Sequence, residues 1–441
     1  MASVEGKIAH VWRRLGFGPT PTSVSDGVAA GGPSAAIESI LAAPNPLVTD
    51  WAWPGGPTNG DSLQTDANRL VELSATGASQ LRERVAWILQ GLLVVSAGEN
   101  VGGAEMEGHL NNLRSWPQLS YRDLLEKVVR SNAMQWYLSG VASTPPHPNE
   151  NLARELMELF SLGVTHPVTG ANNYGETDIK EIARALTGYS YDWTTHVVSW
   201  QQSAWDAGTK TFLGSSRGAA GVTEVVDAIA GHDSFRYFVP RRLYRELVGT
   251  EPDAATLSAL ASVWGPKGDI AGTVAAIARR PEFLDDSVIR AKVKTPFEML
   301  VSAMRVLGVS EFTHLGPWWV LTQLRQHPFL PPNVNGWPVG KAWMHAGTLV
   351  NWSGPVQWIT FSDDGTDAVA DNLRLPTVRR LFAEGSSLTG GDLALQLAGL
   401  HDVSLATLAS LREFAASGTW SYARAATTMC LALQTPEFYV N

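Results

Sequence analysis

The chain has 441 residues, and its 42 acidic residues outnumber its 33 lysines and arginines, giving a formal net charge of −9 at pH 7. Such a chain has no global basic field to attract nucleic acid, so we expect no nucleic-acid partner. It has no apolar run of about 18 residues and begins without the apolar stretch of a secretory signal, so we expect a cytoplasmic protein that does not bind a membrane.

The chain is long enough for two or three domains of about 100 to 200 residues, but no segment is typical of a linker. We therefore predict one large, mainly α, helical domain over residues 1–441, with long irregular loops. Gly, Pro, Ser and Trp concentrate near 43–65 and 190–222, which indicates loop-rich insertions. Within the second insertion, TTHVVSW alternates like a strand and predicts a short β-hairpin.

Two apolar segments predict helices. Residues 82–96 (RERVAWILQGLLVVS) predict a helix buried on most sides, and residues 235–247 (FRYFVPRRLYREL) a helix with basic residues among aromatic ones. Arg241, Arg242 and Arg245 of the second segment could hold a phosphate or carboxylate. The alternative is a solvated face with an ion pair to acidic helices.

A carboxylate-rich helix is predicted in HPNENLARELMELFSLGV, beginning after Asn149 as N-cap and ending near Gly163. Glu150, Arg154 and Glu158 recur at every fourth residue on one face. Its apolar face comprises Leu152, Leu156, Leu159 and Phe160.

Glu155 falls at the margin of that apolar face. Partial desolvation there would raise its pKa and suit it to general acid or base chemistry near neutral pH. The alternative is structural, because the neighbouring Glu–Arg–Glu spacing is also typical of a surface ion-pair ladder. Both interpretations stay open.

A second helix is predicted in ETDIKEIARALTGY, with Thr177 as N-cap and Gly188 beyond its end. Glu181 and Arg184 lie off its apolar face. They are either solvated or turned toward a polar seam against the first acidic helix, where buried charges would have to pair.

Tryptophan is frequent, with 17 residues, many of them outside predicted helix cores. Such rings either line a ligand site or seal the core. The segment QHPFLPPNVNGWPVGKAW adds prolines and glycines that fix an irregular backbone. We predict that Asn333, Asn335, Trp337 and Lys341 face a ligand there, the alternative being a buried structural clamp.

The acidic segments, together with HVWRRLGFGPTP, KVKTPFEMLVSAMRVLG, PPNVNGWPVGKAWM and LALQTPEFYV, resemble the bacterial family known as domain of unknown function 1800 (DUF1800). The resemblance spans nearly the whole chain and implies a helical architecture more than a reaction.

Many members of that family carry a His-x-His pair, in a phrase like FWHNHF, and often a histidine where this chain has Phe160; this combination resembles a metal site. Here Gln90 and Leu92 stand at the two His-x-His positions. Leucine cannot ligate a metal and an amide is a poor substitute for imidazole, so we predict no metal ligands and no cofactor. The loop histidines His147 and His166 are interpreted as surface residues, and a carboxylate-bound metal stays a further alternative.

We therefore expect a metal-independent enzyme of hydrolase, lyase or cyclase type, acting on a small-molecule substrate in a tryptophan-lined pocket. Its expected catalytic carboxylates are Glu155, Glu158, Glu150 and Glu181, and Arg154 and Arg184 are expected to bind the substrate. The alternative is a binding or scaffold protein that has lost an ancestral metal site. The lone cysteine, Cys430, is expected to be a buried thiol.

Overall fold

The computed structural model describes residues 1–44, 60–98, 101–192, 194–195, 197–309, 316–361 and 375–441. Helices dominate these ranges, so the prediction of a mainly α fold is confirmed. The predicted loop near 43–65 lies largely outside the described residues. Its end is wrong, however, because a helix already begins at Gly60.

Among the described residues, eight helices precede the acidic segment: α1 (Val4–Leu15), α2 (Ser23–Ala29), α3 (Pro33–Leu41), α4 (Gly60–Thr76), α5 (Gln80–Gln90), α6 (Gly103–Arg114), α7 (Tyr121–Val129) and α8 (Asn132–Tyr137). The acidic segment and the residues that follow it contribute α9 (Glu150–Glu158), α10 (Glu176–Ala185), α11 (Val222–Ala230), α12 (Phe235–Leu247), α13 (Ala254–Trp264) and α14 (Ile270–Ala278). The last third contributes α15 (Pro296–Leu307), α16 (Pro317–Gln323), α17 (Ala346–Phe361), α18 (Pro376–Glu384), α19 (Gly390–Leu397), α20 (Leu405–Ala416) and α21 (Tyr422–Ala432).

Two small antiparallel sheets lie in the predicted insertion near 190–222. In the first, β1 (Tyr189–Asp192) pairs with β2 (Val197–Trp200). In the second, β3 (Thr211–Phe212) pairs with β4 (Ser215–Ser216). The strand predicted from the alternating VVSW sequence is therefore present, and the expected short hairpin is formed by β1 and β2.

Local capping chemistry explains where many helices begin. A side-chain oxygen at the N-cap accepts a backbone N–H that would otherwise have no partner. The capping residues of this kind are Ser3, Ser79, Ser120, Ser131, Asn149, Asp253, Asp269, Thr295, Ser404 and Ser421.

The predicted end of the apolar helix is wrong. The apolar run 82–96 is helical only to Gln90, and residues 91–96 are irregular, although Leu93 and Val95 are buried as expected. These residues are buried without being helical. Their segment packs against the residues after α16, where the adjacent Ala97 donates its N–H to the Phe329 carbonyl at 2.7 Å.

The second acidic helix, α10, is capped by Gly175 rather than Thr177, because Asp178 reaches back to accept the Gly175 N–H at 2.8 Å. The first, α9, is capped by Asn149 as predicted. Its regular part stops at Glu158. A widened turn then continues to Gly163, which has a φ of +75°.

The buried apolar side chains form one cluster that runs from Ile8 to Tyr439. The end of the chain returns to the residues before α15, where Val440 bridges Val293 and Asn441 donates its N–H to the Lys292 carbonyl at 2.7 Å. This packing fixes the backbone around Lys292 in the protein interior.

Candidate functional site

The charges of the acidic helices α9 and α10 lie at the surface. Arg154 contacts Glu150 at 3.0 Å within α9 and Glu176 of α10 at 2.9 Å, rather than the predicted second partner, Glu158. The hydrogen bonds from Arg154 lower the pKa of Glu176. Glu150, Arg154 and Glu176 therefore form a surface clamp between the two helices.

Glu181 and Arg184 face away from α9. Arg184 contacts Glu181 at 2.8 Å and Asp206 at 2.7 Å, while Glu181 accepts the Thr211 N–H at 2.9 Å. The sequence left two alternatives for this pair, a solvated face and a polar seam against the first acidic helix, and none of the partners seen here is on that helix. The two side chains instead tie α10 to the segment that carries β3.

Glu155 is half-buried, and burial followed by the nearby charge of Glu158 raises its pKa, the direction expected from the sequence. Tyr137 and Tyr174 are its aromatic neighbours. Burial, followed by the charge of Glu158, raises the pKa of Tyr174 to about 12. These four side chains form a small acidic cluster outside the cleft described next.

A cleft with two adjoining cavities, of about 50 and 160 Å³, lies between α5, α12, the residues before α15 and the loop after α16. Gly91 and Arg242 line both cavities. The smaller cavity is also lined by Trp87, Ile88, Glu246, Lys292, Thr295, Glu298, Gln326, Trp337, Pro338, Val339 and Gly340. The larger is also lined by Leu92, Leu159, Phe238, Arg241, Arg245, Val334 and Asn335.

The proline- and glycine-rich loop, which the sequence predicts to face a ligand, forms part of the wall of both cavities. Trp337 lines the smaller cavity and Asn335 the larger one. Asn333 and Lys341 are exposed outside the cleft, and the Asn333 side chain accepts the Asn335 N–H at 2.9 Å. The loop thus places two of its four predicted residues at the cleft, while Asn333 stabilises the turn between them.

Five charged side chains form an alternating chain beside the smaller cavity. Arg84 pairs with Glu298, and Lys292 lies 3.9 Å from Glu298 and 2.6 Å from Glu246. Arg242 completes the chain, 3.6 Å from the second Glu246 oxygen. Arg84, Glu298 and Lys292 expose only 1%, 3% and 12% of their side chains, so this chain is internal.

Burial and pairing oppose each other in this charge chain. Burial by itself raises the pKa of Glu246, but Lys292 and Arg242 outweigh it and lower the value to about 2. Burial lowers the pKa of Lys292, against the opposing pull of Glu246. Glu246 is therefore ionised at neutral pH, and the Lys292 ammonium releases its proton more readily than an exposed lysine does.

Aromatic rings form the apolar wall of the smaller cavity. Trp87 stacks on Phe297 with ring centroids 3.8 Å apart and lies nearly parallel to Trp337 at 5.6 Å. The buried Trp337 indole N–H has no hydrogen-bond partner among the described residues. It is a donor available to a bound molecule.

Arginines dominate the larger cavity. Arg241 and Arg245 contact one carboxylate, Glu251, at 2.8 and 3.0 Å. The expected ion pair between this helix and the acidic helices is therefore wrong, because the partner comes from the residues after α12. Together with Arg242, these side chains make one end of the cleft cationic.

The charged residues of the cleft, Glu246, Lys292 and Glu298, were not predicted as site residues. The sequence contains one local signal, the Thr-x-x-Glu capping box at Thr295 and Glu298 that begins α15. This signal predicts where α15 begins, but it does not indicate that Glu298 pairs with Arg84 of α5.

At the positions of the missing histidines, Gln90 is buried and donates to the Pro328 carbonyl at 2.7 Å, while Leu92 lines the larger cavity. The interpretation of His166 as a surface residue is wrong, because it is buried with Nε2 3.1 Å from Asp233. Over the ranges that the structure describes, no three His, Cys, Asp or Glu side chains converge as metal ligands. The thiol of Cys430 is buried as expected, and burial raises its pKa to about 11.

In comparisons with known proteins, the sequence model of the family described as "Protein of unknown function (DUF1800)" matches residues 10–440, nearly the whole chain. No curated protein and no solved structure matches. Among the described residues, no helix is both long and apolar enough to cross a membrane.

Proposed function

This chain belongs to the DUF1800 family, and we propose that it is an enzyme that transfers protons on a small anionic molecule held in the cleft. The observation that carries the proposal is the buried charge chain beside the tryptophan wall. It contains three cations, Arg84, Lys292 and Arg242, and two carboxylates, Glu246 and Glu298. The excess positive charge lies toward Arg242, whose side chain is 30% exposed at the cleft, and an anion that binds next to it stabilises it.

Arg242 is the proposed anion-binding residue. It lines both cavities, and its buried Nε atom lacks a well-placed hydrogen-bond partner among the described side chains. A guanidinium matches the geometry of a carboxylate or phosphate group. Arg241 and Arg245 share the single carboxylate of Glu251, which leaves this end of the cleft cationic.

The apolar part of the substrate is proposed to lie on the faces of Trp87 and Trp337. Flat rings contribute a large contact area and lose little rotamer freedom on binding. The unpartnered N–H of Trp337 can also donate to a substrate oxygen. The substrate class is therefore a small organic acid or phosphate ester with an apolar or aromatic portion.

Lys292 is the proposed proton-transferring residue, since its ammonium lines the smaller cavity and burial lowers its pKa. It donates a proton to a leaving group or developing oxyanion, and its neutral form then takes a proton from substrate or water. Glu246 orients it through the 2.6 Å contact. Hydrolysis, elimination and cyclisation all use such a step.

This proposal keeps the acid–base chemistry in a tryptophan-lined pocket that the sequence suggested and moves it to other residues. Glu246, Glu298 and Lys292 replace Glu150, Glu155, Glu158 and Glu181 at the reacting centre. Of the predicted substrate-binding residues, Asn335 and Trp337 are retained. The proposed step uses side chains alone.

One observation favours binding without chemistry as a second candidate function. Glu246, with its pKa lowered to about 2, stays ionised 2.6 Å from Lys292 and favours the charged ammonium, a state in which the charge chain holds an anion without moving a proton. The enzyme and the binding protein share the ligand class and differ in whether a proton moves.

The binding test is calorimetry of the full chain with phenyl phosphate, phenylacetate and neutral 2-phenylethanol. The two anions are expected to bind and the alcohol to bind at least about tenfold more weakly, because a charge-assisted hydrogen bond contributes about 1.5–3 kcal/mol. Arg242→Gln should weaken the binding of both anions by the same factor. Arg236→Gln is the matched control, an exposed arginine on the same helix outside the cleft. Equal binding of anions and alcohol would contradict the proposal.

The chemistry test is proton exchange in D2O, followed by ¹H NMR as loss of the C–H signal next to the acid group across a panel of small carboxylic acids. Lys292→Arg keeps the positive charge but cannot release a proton at neutral pH, so it should stop exchange while leaving binding in place. Binding without exchange in the unmodified protein would favour the binding protein over the enzyme.

A further inference from the structure

A cavity of about 480 Å³, here named the second cavity, lies outside the cleft and shares no lining residue with it. It is enclosed by α1, α2 and α3 and by the beginning of α5 and the end of α15. Its size is within the range of small-molecule pockets, about 300–1,000 Å³. The proposed function does not use this space.

The cavity wall contains a buried cation without a carboxylate partner among the described residues. Arg305 is 7% exposed and donates from Nε to the Gly18 carbonyl and from Nη1 to the Ala75 carbonyl, both at 2.7 Å. Burial lowers its pKa to about 10. Asp26, an acidic residue of the same wall, is exposed and does not contribute to that change. The positive charge is thus offset by backbone dipoles and the Trp12 ring, without a carboxylate among the described residues, a costly arrangement for a buried ion.

Two more polar atoms in the wall are buried and unpartnered among the described residues. The Trp12 indole N–H is a donor, and the guanidinium of Arg305 lies 5.9 Å from that ring's centroid. The Gln80 side chain donates to the carbonyls of Ser74 and Gly77, both at 3.1 Å, which leaves its oxygen as a free acceptor. Unpaired buried polar atoms call for a ligand or water that completes their hydrogen bonds.

We propose that this cavity is a second small-molecule site, which takes an organic carboxylate. The carboxylate group accepts from Trp12 and lies against Arg305, and its apolar portion packs on Ala36 and Ile40. Gln80 accepts a hydrogen bond from a hydroxyl or amino group of the same molecule. A guanidinium and an added N–H donor match a carboxylate, and one acceptor matches a hydroxyl or amino group of the same molecule, so the cavity favours this ligand class.

The second site is distinct from the cleft although two helices line both. On α5, Gln80 faces the second cavity and Trp87 the cleft; on α15, Arg305 faces the second cavity and Glu298 the cleft. Seven residues separate the members of each pair, about 10 Å along a helix axis. Substitutions can therefore be directed at either site without touching the other.

The test is calorimetry of Arg242→Gln, a background that weakens the cleft, with benzoate, hexanoate and 4-hydroxybutyrate. At least one of these carboxylates is expected to bind with a stoichiometry of one, and its amide analogue at least about tenfold more weakly. Arg242→Gln/Arg305→Gln should lose about tenfold or more in affinity, and Arg242→Gln/Trp12→Phe should lose several-fold. No binding of any carboxylate, or binding unchanged in both double variants, would overturn the proposal.

A second variant covers the case in which loss of the Arg305 hydrogen bonds unfolds the chain. Ala36→Leu adds apolar volume at the wall and leaves every polar group in place. It should lower carboxylate affinity in the Arg242→Gln background, while circular dichroism remains unchanged. Unchanged affinity in this folded variant would place the carboxylate elsewhere and overturn the proposal. This inference and the proposed function can fail independently. The present test uses variants that already lack Arg242 in the cleft, whereas the test of the proposed function changes Arg242 and leaves the second cavity intact.

Discussion

The acidic helices and the cleft contain ion pairs with similar contact distances and very different surroundings. In the clamp formed by Glu150, Arg154 and Glu176, the side chains are 36%, 36% and 70% exposed. In the cleft, Glu298 is 3% and Lys292 12% exposed. Water screens the first set, so each pair contributes little to stability, whereas each charge of the second set depends on its partners.

This contrast shows that conspicuous charge spacing in a sequence indicates a helix surface more readily than a buried cluster of charges. Spacing at every fourth residue is conspicuous because one helix repeats it, and it places the side chains where solvent reaches them. The buried chain joins residues from distant segments. Its one local element, the i,i+4 pair of Arg242 and Glu246, has the same spacing as a surface pair and does not reveal the rest of the chain.

The largest expected effect comes from breaking the buried chain at Glu298. Glu298→Gln leaves Arg84 without its carboxylate and should lower the free energy of unfolding by about 3–5 kcal/mol, measured by urea denaturation. Glu150→Gln is the control in the exposed clamp. A loss below about 1 kcal/mol for Glu298→Gln would remove the distinction between the two regions.

A buried carboxylate that has no cationic partner among the described residues sharpens the comparison in the opposite direction. Asp66 of α4 is 1% exposed, and burial, with a smaller contribution from Glu107, raises its pKa from 3.8 to about 7. In the unfolded chain it ionises near pH 4, whereas the folded protein keeps its proton until about pH 7. Stability is therefore lost as pH rises from about 4 to 7.

Asp66→Asn should accordingly stabilise the protein at pH 8, by on the order of 2–4 kcal/mol, and have little effect near pH 4. Thermal unfolding at the two pH values measures both quantities. The control is Asp123→Asn, an exposed carboxylate on α7. Destabilisation by Asp66→Asn at pH 8 would mean that the ionised carboxylate has a stabilising partner.

The exposure of Glu155 lies between the exposures of the two regions. Substituting it tests whether its raised pKa reflects chemistry or packing. Because burial already favours the neutral form, Glu155→Gln should leave the free energy of unfolding within about 1 kcal/mol of the original. Binding of phenyl phosphate in the cleft should also be unchanged. Weakened binding would return the reacting centre to the acidic helix.

The smallest expected effect is that of Arg154→Gln in the surface clamp. Since its partners are exposed, the free energy of unfolding should fall by less than about 1 kcal/mol, and added salt should reduce the difference further. Urea denaturation at two salt concentrations measures it. A salt-independent loss of several kcal/mol would show that this clamp behaves like a buried pair.

Part of the candidate site was predictable from the sequence. The prolines and glycines around Trp337 indicated a fixed irregular wall, and Asn335 and Trp337 do line the cleft. Lys341 and Asn333 do not line it, because neighbours along an irregular backbone point in different directions. Only the packed loop decides which of them turns inward.

The mainly α fold, the N-cap of α9 at Asn149 and the β-hairpin are predictable because they depend on spacing and capping within a few residues, and the family is predictable from motifs along the chain. Only packing brings Arg84, Glu246, Lys292 and Glu298 together in one charge chain, although up to 214 residues separate them. It also decided which charges are solvated and which are buried. Burial and pairing depend on neighbours in space, and those neighbours come from helices that no local pattern connects.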